Sequence, residues 1–313
     1  MNIRGKKILV TGATGLVGRN LTPRLEALGA DVYACGHTRA GEYNCDLRDA
    51  QQTANLFDKI IPDVVIHLAA RVGGIYANMA HKEQFYLENT LINTNVVREI
   101  SRQKTPYVLA MGTGCAYPKR LEGNELIEEL YLDGIPEPTN DAYAYAKRNM
   151  LVHLTVCAEG YGLKYCFCIP ANIYGPHDNF HPTYSHVVPG LIHKFMEARQ
   201  KKLNQVVIWG TGRPRRDFLY IDDLVSALTR LLDSEITGPV NVATGEPVSI
   251  NELVYKIKEI TGYAGEIVYA PNYAGGQSTR LFATGKIKKL GWRPRYTLRE
   301  GLMKTVDWYE HNK

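Results

Sequence analysis

The sequence predicts an α/β protein with a doubly wound parallel sheet and a smaller C-terminal α/β lobe. Over the first half of the 313 residues, short apolar runs alternate with segments of helical periodicity, and the first run ends in a glycine-rich turn. Such alternation is typical of parallel strands joined by helices. Beyond about residue 172, proline and glycine become frequent and the apolar runs shorten. We therefore expect a sheet domain over residues 1–172 and a lobe over residues 173–313, some segments of which return to the sheet.

Apolar runs predict the strands of the first half. A parallel sheet that is covered by helices on both faces needs strands that are apolar throughout rather than alternating. The runs are Lys6–Val10, Asp31–Cys35, Val64–Leu68, Tyr107–Met111 and Tyr165–Ile169. We expect them to lie side by side in one sheet.

Helical periodicity fills the gaps between these runs. The first helical segment extends to Leu28 and stops at Gly29, and Pro23 within it predicts a kink or a lost hydrogen bond. Two long helices are predicted at about residues 85–103 and 142–159. In the lobe, Gln205–Trp209 predicts a strand, and the Ser249–Glu252 capping box predicts the start of a helix that Gly262 closes.

Composition and charge exclude several functional classes. The hydrophobic fraction of 45% is ordinary, no apolar run reaches the length of a membrane span, and the N-terminus lacks signal-peptide features, so we expect a cytoplasmic protein without a membrane partner. Six scattered cysteines without a CxxC pair predict reduced thiols and no metal site. The net charge of +5 is dispersed, which argues against nucleic acid. The local run Arg213–Arg216 instead favours a small phosphorylated ligand.

The glycine-rich turn predicts a dinucleotide site. Gly12, Gly15 and Gly18 follow the first strand at three-residue spacing and precede a helix. In a Rossmann-type fold, such glycines allow a tight turn, close approach of the backbone to a pyrophosphate, and close packing of helix on strand. The helix N-terminus then supplies amide donors and a partial positive charge.

The end of the second strand favours NADP over NAD. An NAD site usually carries an acidic residue there, to bind the ribose hydroxyls. This chain has Cys35-Gly-His-Thr-Arg39, with no acid and with Arg39 available for the extra phosphate of NADP. The alternative is that Arg39 is only a surface residue.

Three further residues predict carbonyl reduction. Tyr143 can donate a proton to the nascent alkoxide, and Lys147, one helical turn away, can lower the pKa of Tyr143 by its charge. Thr113, just after the predicted strand Tyr107–Met111, can hydrogen-bond the carbonyl. In isolation Tyr143 and Lys147 would be an ordinary surface pair, but the glycine turn and Thr113 favour catalysis.

These motifs resemble the extended short-chain dehydrogenase/reductase family over nearly the whole chain. The shared segments are the glycine turn, Asp46-Leu47, His67–Ala70, the Tyr143/Lys147 pair and Pro170–Asn172. Within that family, the match is to the GDP-L-fucose synthases. It is carried by Arg71–Ile75 with Asn78, Cys115–Lys119, Ile173–His181, Ser185–Val187 and Trp209–Arg216. This resemblance implies NADPH-dependent 3,5-epimerisation and 4-reduction of GDP-4-keto-6-deoxy-D-mannose or a closely related GDP-4-keto sugar.

The resemblance also implies residue roles. Cys115 and His186 become the acid/base pair for epimerisation beside catalytic Thr113, Tyr143 and Lys147, whereas a lone cysteine would otherwise be interpreted as a buried hydrophobe. His177 and His181 are assigned to loop structure. The expected cofactor residues are Gly12, Thr14, Gly15, Leu16, Val17, Arg39, Asp46, Leu47, Leu68, Ala69, Ala70, Lys147, Pro170 and Asn172. The expected substrate residues are Asn172, Val187, Leu191, Lys194, Trp209, Arg216 and Arg280.

The chain departs from the family pattern at two places, and two other functions stay open. Thr113-Gly114 replaces a serine-containing pair, and Asn272–Gln277 replaces a Lys-Pro-Asp-Gly element, so that Arg280 is left as the distal phosphate cation. One alternative is an NAD-retaining sugar-nucleotide 4-epimerase or 4,6-dehydratase, and the other is a dinucleotide-binding sensor without turnover. Apolar stripes on the two long helices, which relatives pair across a two-fold axis, predict a homodimer.

Overall fold

The computed structural model describes residues 1–37, 43–271 and 278–312. The strands are β1 (Lys7–Thr11), β2 (Asp31–Gly36), β3 (Tyr43–Asn44), β4 (Val64–His67), β5 (Tyr107–Met111), β6 (Glu125–Leu126), β7 (Lys164–Pro170), β8 (Asn172–Tyr174), β9 (Gln205–Trp209), β10 (Arg215–Arg216), β11 (Phe218–Tyr220), β12 (Gly238–Val242), β13 (Val248–Ser249), β14 (Glu266–Ala270) and β15 (Leu281–Phe282). The helices are α1 (Leu16–Ala27), α2 (Ala50–Ile60), α3 (Ile75–Ala80), α4 (Lys82–Gln103), α5 (Asp141–Tyr161), α6 (Val187–Gln200), α7 (Ile221–Ser234), α8 (Ile250–Ile260), α9 (Gly285–Lys289) and α10 (Leu298–His311).

A seven-stranded parallel sheet forms the centre of the fold. Its strand order is β12-β7-β5-β4-β1-β2-β3, so that the chain winds outward in both directions from β1 and β4. The strands β4 and β5 are buried along their whole length, as expected for a sheet covered by helices on both faces. The predicted doubly wound α/β class is confirmed.

The register of the sheet brings the ends of its central strands together. Thr11 at the end of β1 pairs with His67 at the end of β4, and Met111 at the end of β5 pairs with Cys168 in β7. In an open α/β sheet, ligands bind outside the carboxyl ends of the strands where the strand order reverses. This edge is therefore where the chemistry of the chain is expected.

Small two-stranded sheets lie outside the central sheet. β9 pairs with β14, β8 with β11, and β6 with β15 in parallel, whereas β10 pairs with β13 antiparallel. The helix α8 begins at Ser249 with the predicted capping box, in which Glu252 reciprocates. The first helix continues through Pro23 to Ala27.

The edge strand β12 comes from the second half of the sequence. It pairs with β7 along five residues and carries the fully buried Asn241. The Asn241 side chain accepts a hydrogen bond from Tyr117 Oη and donates to the carbonyls of Leu126 and Ala283. The boundary at residue 172 stays a prediction, although the sheet extends to residue 242.

The helices α4 and α5 pack side by side against the sheet and carry apolar residues on their outer faces as well. Among the described residues, no helix has the length and apolarity needed to cross a membrane.

Candidate functional site

The turn after β1 requires glycine at two positions. Gly12 has a φ of +70°, and a Cβ there would lie 2.7 Å from the Ala69 nitrogen. A Cβ on Gly18 would lie 2.4 Å from the Ala13 Cα, so that α1 packs directly on the turn. The turn is therefore narrow enough for a ligand to approach the backbone closely.

The N-terminus of α1 opens beside this turn. Its N-cap is Gly15, in an extended conformation, and no side chain caps the first amides. The amides of Leu16 and Val17 are among those that an α-helix leaves without internal partners. Thr14, just before the cap, accepts a hydrogen bond from Arg19 Nε at its carbonyl, 3.0 Å away. An uncapped helix start next to a Cβ-free turn is suited to the pyrophosphate of a dinucleotide.

The residues after β4 and β7 flank the same edge of the sheet. The Leu68 amide donates to the Thr11 carbonyl at 3.2 Å, and the Ala69 amide donates to Thr11 Oγ1 at 3.3 Å. Ala70 follows without a break. On the other side, Pro170 ends β7 and Asn172 begins β8. Segments distant in sequence thus meet around the turn, in positions where they could line a bound cofactor.

The region after β3 is organised by an arginine that sequence reasoning missed. Arg48 donates to Asp46 through Nε and Nη2, at 2.9 Å and 2.7 Å, and this pairing lowers the pKa of Asp46 to about 2. Arg48 also lies 3.3 Å from a carboxylate oxygen of Glu88, while Leu47 is buried. Its position two residues after Asp46 was the available signal. Arg39 lies outside the described residues, so that the predicted phosphate contact stays a prediction.

Lys147 and Tyr143 lie on α5 facing the end of β5. Lys147 is almost completely buried, its Nζ donates to the Met111 carbonyl at 2.8 Å, and it lies 5.8 Å from the centroid of the Tyr143 ring. Thr113 follows β5, and its Oγ1 accepts from the Cys115 amide at 3.3 Å. Three of the predicted catalytic residues therefore surround one point at the end of the strand.

Burial controls the protonation of this pair. Burial raises the pKa of Tyr143, and the nearby Cys115 adds to that rise. Burial lowers the pKa of Lys147 to about 7. The sequence-based expectation was that the charge of Lys147 lowers the pKa of Tyr143. Burial of the phenol instead makes the net direction a raised pKa, and it also weakens the charge on Lys147.

Tyr131 was not found from the sequence. It is fully surrounded by protein, accepts a hydrogen bond from the Thr113 amide at 3.3 Å, and donates to the Thr113 carbonyl at 3.1 Å. These two bonds fix the backbone that carries Thr113. Its position in a loop 18 residues further on gives no local signal.

Cys115 is held by arginine. All six cysteines are free thiols, and Cys115 is the one that is partly exposed, while protein surrounds much of its side chain. Its Sγ accepts a hydrogen bond from Arg280 Nη1 at 3.1 Å. Burial alone would raise the pKa of the thiol, but the charge and hydrogen bond of Arg280, a hydrogen bond with Thr113 and the charge of Arg216 outweigh it and leave the pKa below its ordinary value.

His186 lies in the turn that precedes α6. It is the N-cap of α6, and its side chain is exposed, although surrounding protein lowers the pKa of the imidazole. The preceding carbonyl, of Ser185, lies 2.6 Å from where a Cβ on Gly74 would be. Beside this turn, Phe85 packs edge-on against Tyr143, with centroids 6.4 Å apart. These contacts involve the backbone before His186 and the Phe85 ring, and they do not join the His186 ring to Tyr143.

Five of the seven predicted substrate residues lie on α6, β9 and β10, whereas Asn172 begins β8 and Arg280 precedes β15. Lys194 donates to the Val207 carbonyl at 2.9 Å, and its Nζ lies 5.0 Å from the centroid of the Trp209 ring. Val187 and Leu191 are on the same helix as Lys194. Burial, and then the like charge of Arg280, lower the pKa of Arg216 to about 10. Arg216 and Arg280 therefore form a partly buried cationic pair next to Cys115.

The two histidines assigned to loop structure make local contacts. His181 Nδ1 accepts from the Thr183 amide at 3.1 Å. His177 has a φ of +69° and packs edge-on against Trp308, with ring centroids 4.9 Å apart. Among the described residues, no group of three or more His, Cys, Asp or Glu is arranged to hold a metal ion.

A chain of buried hydrogen bonds connects the glycine turn to α5. His67 Nδ1 lies 2.7 Å from Thr11 Oγ1, and His67 Nε2 lies 3.1 Å from Asn93 Oδ1. Asn93 Nδ2 donates to the carbonyl of Ala146, at 3.1 Å. Since Asn93 Oδ1 can only accept, His67 Nε2 carries the proton and Nδ1 accepts from Thr11. The sequence marked His67 as a family motif but not its partners.

The comparisons with known proteins agree with this geometry. Residues 8–243 match the NAD dependent epimerase/dehydratase family. The chain is 37% identical to Probable GDP-L-fucose synthase 1 of Oryza sativa subsp. japonica, over 99% of this chain and 93% of that relative. It is 34% identical to GDP-L-fucose synthase of Escherichia coli (strain K12), with 98% of each chain covered.

A solved structure is similar over the same length. The chain aligns with a GDP-L-fucose synthetase from Naegleria fowleri bound to NADP at a TM-score of 0.86 and 30% identity, covering 99% of this chain and 95% of that one. The resemblance that the sequence motifs predicted is confirmed. The chain belongs to the NAD dependent epimerase/dehydratase family, in which its relatives include GDP-L-fucose synthases.

Proposed function

We propose that the protein catalyses the NADPH-dependent 3,5-epimerisation and 4-reduction of GDP-4-keto-6-deoxy-D-mannose, giving GDP-L-fucose. The observation that carries the proposal is the cluster at the end of β5, where Cys115 Sγ accepts a hydrogen bond from the buried Arg280 at 3.1 Å and the Cys115 amide donates to Thr113 Oγ1. One pocket edge then offers a proton donor for a ketone oxygen, a thiol for the adjacent carbons and cations for a diphosphate. Full-length relatives named GDP-L-fucose synthase support the same reaction.

The glycine turn and α1 would hold the dinucleotide. The turn at Gly12 and Gly15 and the amides of Leu16 and Val17 fit the pyrophosphate, with the segments after β3, β4 and β7 around the rest of the cofactor. A bound NADPH supplies hydride to the carbonyl carbon. Lys147, on α5 with its Nζ hydrogen-bonded to Met111 at the end of β5, would bind the nicotinamide ribose. The NADP of the Naegleria fowleri structure supports this choice of cofactor.

Thr113 and Tyr143 would act on the carbonyl oxygen. Their hydroxyls hydrogen-bond the oxygen and stabilise negative charge that develops there. A tyrosine whose pKa is raised by burial is protonated at neutral pH, so that Tyr143 can give its proton to the alkoxide. The high pKa thus suits a general acid.

Cys115 and His186 would move the protons at C3 and C5. Both carbons are α to the ketone, so that removing a proton from either gives an enolate whose oxygen Thr113 and Tyr143 hold. Inversion needs one group to take the proton and another to return one on the opposite face. A thiol and an imidazole whose pKa values both lie below their ordinary ranges can exchange protons near neutral pH.

The charges beside Cys115 separate this reaction from the nearest alternative. A 4,6-dehydratase needs acidic groups next to the strand-end hydroxyl to eliminate water. The charged groups that act on Cys115 are Arg280 and Arg216, which fit a sugar diphosphate instead. Lys194, whose Nζ lies over the Trp209 ring, would bind the nucleotide together with that ring.

Two assays test the proposal. Incubation with NADPH and the 4-keto sugar should consume NADPH stoichiometrically, and a 4-epimerase that retains NAD, or a sensor, would show no net consumption. In deuterated solvent, Cys115→Ser should keep NADPH binding but lose deuterium uptake at the α carbons, or confine it to one of them. Cys157→Ser, which alters a buried thiol on α5, is the matched control. Uptake at both carbons in Cys115→Ser would remove Cys115 from the mechanism.

We also propose that the protein is a homodimer through α4 and α5. Leu87 and Leu91 on α4, and Val152 and Val156 on α5, are exposed and spaced by four residues. Such spacing places each pair on one face of its helix. Since the two helices pack side by side, the four side chains form one apolar surface that a second copy can cover.

The compartment that we propose is the cytoplasm. The six cysteines are free thiols, and one of them is a proposed catalytic group. Thiols stay reduced in the cytosol, whereas oxidising compartments favour disulfides. Fractionation of cells that express the tagged protein tests this.

A further inference from the structure

The contact between Arg280 and Cys115 joins residues that are 165 positions apart. Sequence reasoning gave Arg280 to a phosphate of the substrate and Cys115 to proton transfer, as separate roles. In the structure, Arg280 is 7% exposed, and its Nη1 donates to Cys115 Sγ at 3.1 Å. A buried guanidinium therefore donates directly to the proposed catalytic sulfur.

The short strand β15 positions Arg280, the residue before it, next to this sulfur. Arg280 comes just before β15, and Phe282 lies two residues further on, so that both side chains lie on the same face of the extended chain. The Phe282 ring packs edge-on against Tyr117, with centroids 6.2 Å apart. It also fills the space over Gly114, where a Cβ would be 2.4 Å from the ring. Gly114 thus packs against Phe282, and the next residue, Cys115, contacts Arg280.

The other groups around Cys115 do not replace Arg280. Arg216, from β10, adds positive charge but is a weaker influence on the thiol than Arg280. Thr113 precedes Cys115 on its own segment, and Tyr131 and Tyr143 face it as phenols that are neutral because burial raises their pKa values. The Arg280 hydrogen bond is therefore the main stabilising contact of an anionic sulfur.

We propose that Arg280 is a positioning residue for epimerisation, which holds Cys115 as a thiolate directed into the pocket. This inference rests on the proposed function, in which Cys115 transfers protons. The thiolate takes the proton of a C–H bond α to the ketone: the S–H bond forms, the C–H bond breaks, and its electron pair moves to the enolate oxygen. Cys115 is then the base of the first proton transfer, and its sulfur becomes neutral beside the guanidinium.

Alkylation of Cys115 measures this without any turnover. Iodoacetamide reacts with thiolates, and Cys115 is the cysteine that solvent reaches, so that mass spectrometry of its peptide gives the rate against pH. In the wild-type protein we expect the midpoint below the ordinary cysteine value of about 8.5. In Arg280→Gln the midpoint should rise by about one pH unit or more, so that the rate near pH 7 falls about tenfold. Arg280→Lys, which keeps a charge without the fork, should shift it less.

Arg215→Gln is the matched control. It removes the same charge from the adjacent strand β10, where Arg215 Nη2 donates to the Pro247 carbonyl, and it should leave the curve in place. A curve for Arg280→Gln that superposes on the wild-type curve would overturn the proposal. So would a wild-type midpoint at or above about 8.5, which needs no variant and holds even where Arg280→Gln does not fold.

The outcome separates the inference from the proposed function. The protein could show a low alkylation midpoint that depends on Arg280 and yet consume no NADPH with the keto sugar. That result would support the Cys115 thiolate and refute the proposed reaction. An active epimerase-reductase whose Cys115 titrates independently of Arg280 would do the reverse.

Discussion

At the residue scale, the two central catalytic candidates are both altered by burial, in ways that suit different tasks. Tyr143 stays protonated, as a proton donor should. Lys147 has a pKa of about 7, because almost no solvent reaches its ammonium group. Its proton is therefore held weakly in the folded protein, and the Met111 carbonyl is its hydrogen-bond acceptor. An amine near its pKa can change charge at little cost when a charged ligand arrives.

This low pKa predicts how stability depends on pH. The unfolded chain keeps the Lys147 proton up to a pH near 10, whereas the folded protein releases it near 7. Between these values the unfolded state binds more protons, so that the contribution of Lys147 to the free energy of unfolding rises with pH. Lys147→Met should therefore melt several degrees above the wild type at pH 6, with the difference shrinking toward pH 10.

Differential scanning calorimetry across this pH range checks the prediction. Lys289→Met, at an exposed position on α9, is the control and should show no pH-dependent difference. A constant gap between Lys147→Met and wild type would contradict the assigned pKa. Activity of Lys147→Met should be lost at every pH, since the proposed ribose contact is gone.

At the scale of elements, His67 connects four segments of the fold. Its hydrogen bonds reach from Thr11 at the end of β1, through Asn93 on α4, to the carbonyl of Ala146 on α5. Burial, and then the charge of Lys147, lower the pKa of His67 to about 3, so that the ring is neutral and its two nitrogens keep distinct roles. The turn that could hold a cofactor and the helix that carries Lys147 are thus fixed relative to each other by directional bonds.

Breaking this chain should cost both stability and cofactor affinity. His67→Phe leaves the hydroxyl proton of Thr11 without its acceptor and buried Asn93 Oδ1 without its donor, which should lower the free energy of unfolding by about 2–4 kcal/mol. It should also raise the Kd for NADPH, since Ala69 and Lys147 lose their fixed spacing. Urea unfolding and fluorescence titration measure the two effects.

A double-mutant cycle separates the energy of the His67–Asn93 hydrogen bond from the effect of lost packing. Asn93→Leu alone should be destabilising, and the pair His67→Phe with Asn93→Leu should cost less than the sum, because the second change removes a group that is already unpaired. Strict additivity would mean that the two side chains act independently.

Features that neighbouring residues encode could be predicted from the sequence. Local apolar runs predicted the central strands to within a residue or two: Tyr107–Met111 is β5 as predicted, and β4 ends one residue before the predicted end. The capping box at Ser249 was also predicted, because its signal lies within four residues. Such features are encoded locally, so that pattern alone finds them.

Contacts between distant segments could not be predicted in the same way. The strands β6 and β15 are two residues long each, and neither has a periodicity to detect. β15 pairs with β6, and Arg280, just before β15, contacts Cys115. Arg48, which pairs with the nearby Asp46, also pairs with the distant Glu88 on α4. The family resemblance supplied candidate residues at these places. It did not supply which of them touch, because that depends on the tertiary fold.

At the scale of the whole molecule, the apolar surface of α4 and α5 predicts the oligomeric state. Leu87 and Val156 are 49% and 56% exposed. Burying both in a dimer interface and then replacing them with Glu would place charges in an apolar contact. The double variant Leu87→Glu, Val156→Glu should therefore be a monomer at concentrations where the wild type is a dimer.

Light scattering coupled to size exclusion gives the mass directly. Met303→Glu, an equally exposed apolar residue on α10, is the control and should keep the wild-type mass. A monomeric wild type, or a double variant that stays dimeric, would refute the proposed interface.

The edge strand β12 has a consequence for how the polypeptide is made. The ribosome delivers β7 well before residues 238–242, which pair with it, and Asn241 then joins β12 to Tyr117 and Leu126. Until those residues emerge, the nascent sheet presents an apolar rim with unpaired amides, which is prone to stick to other chains. The central sheet can therefore be completed only after residue 242 has been translated, and a premature stop before residue 238 would yield a product dependent on chaperones.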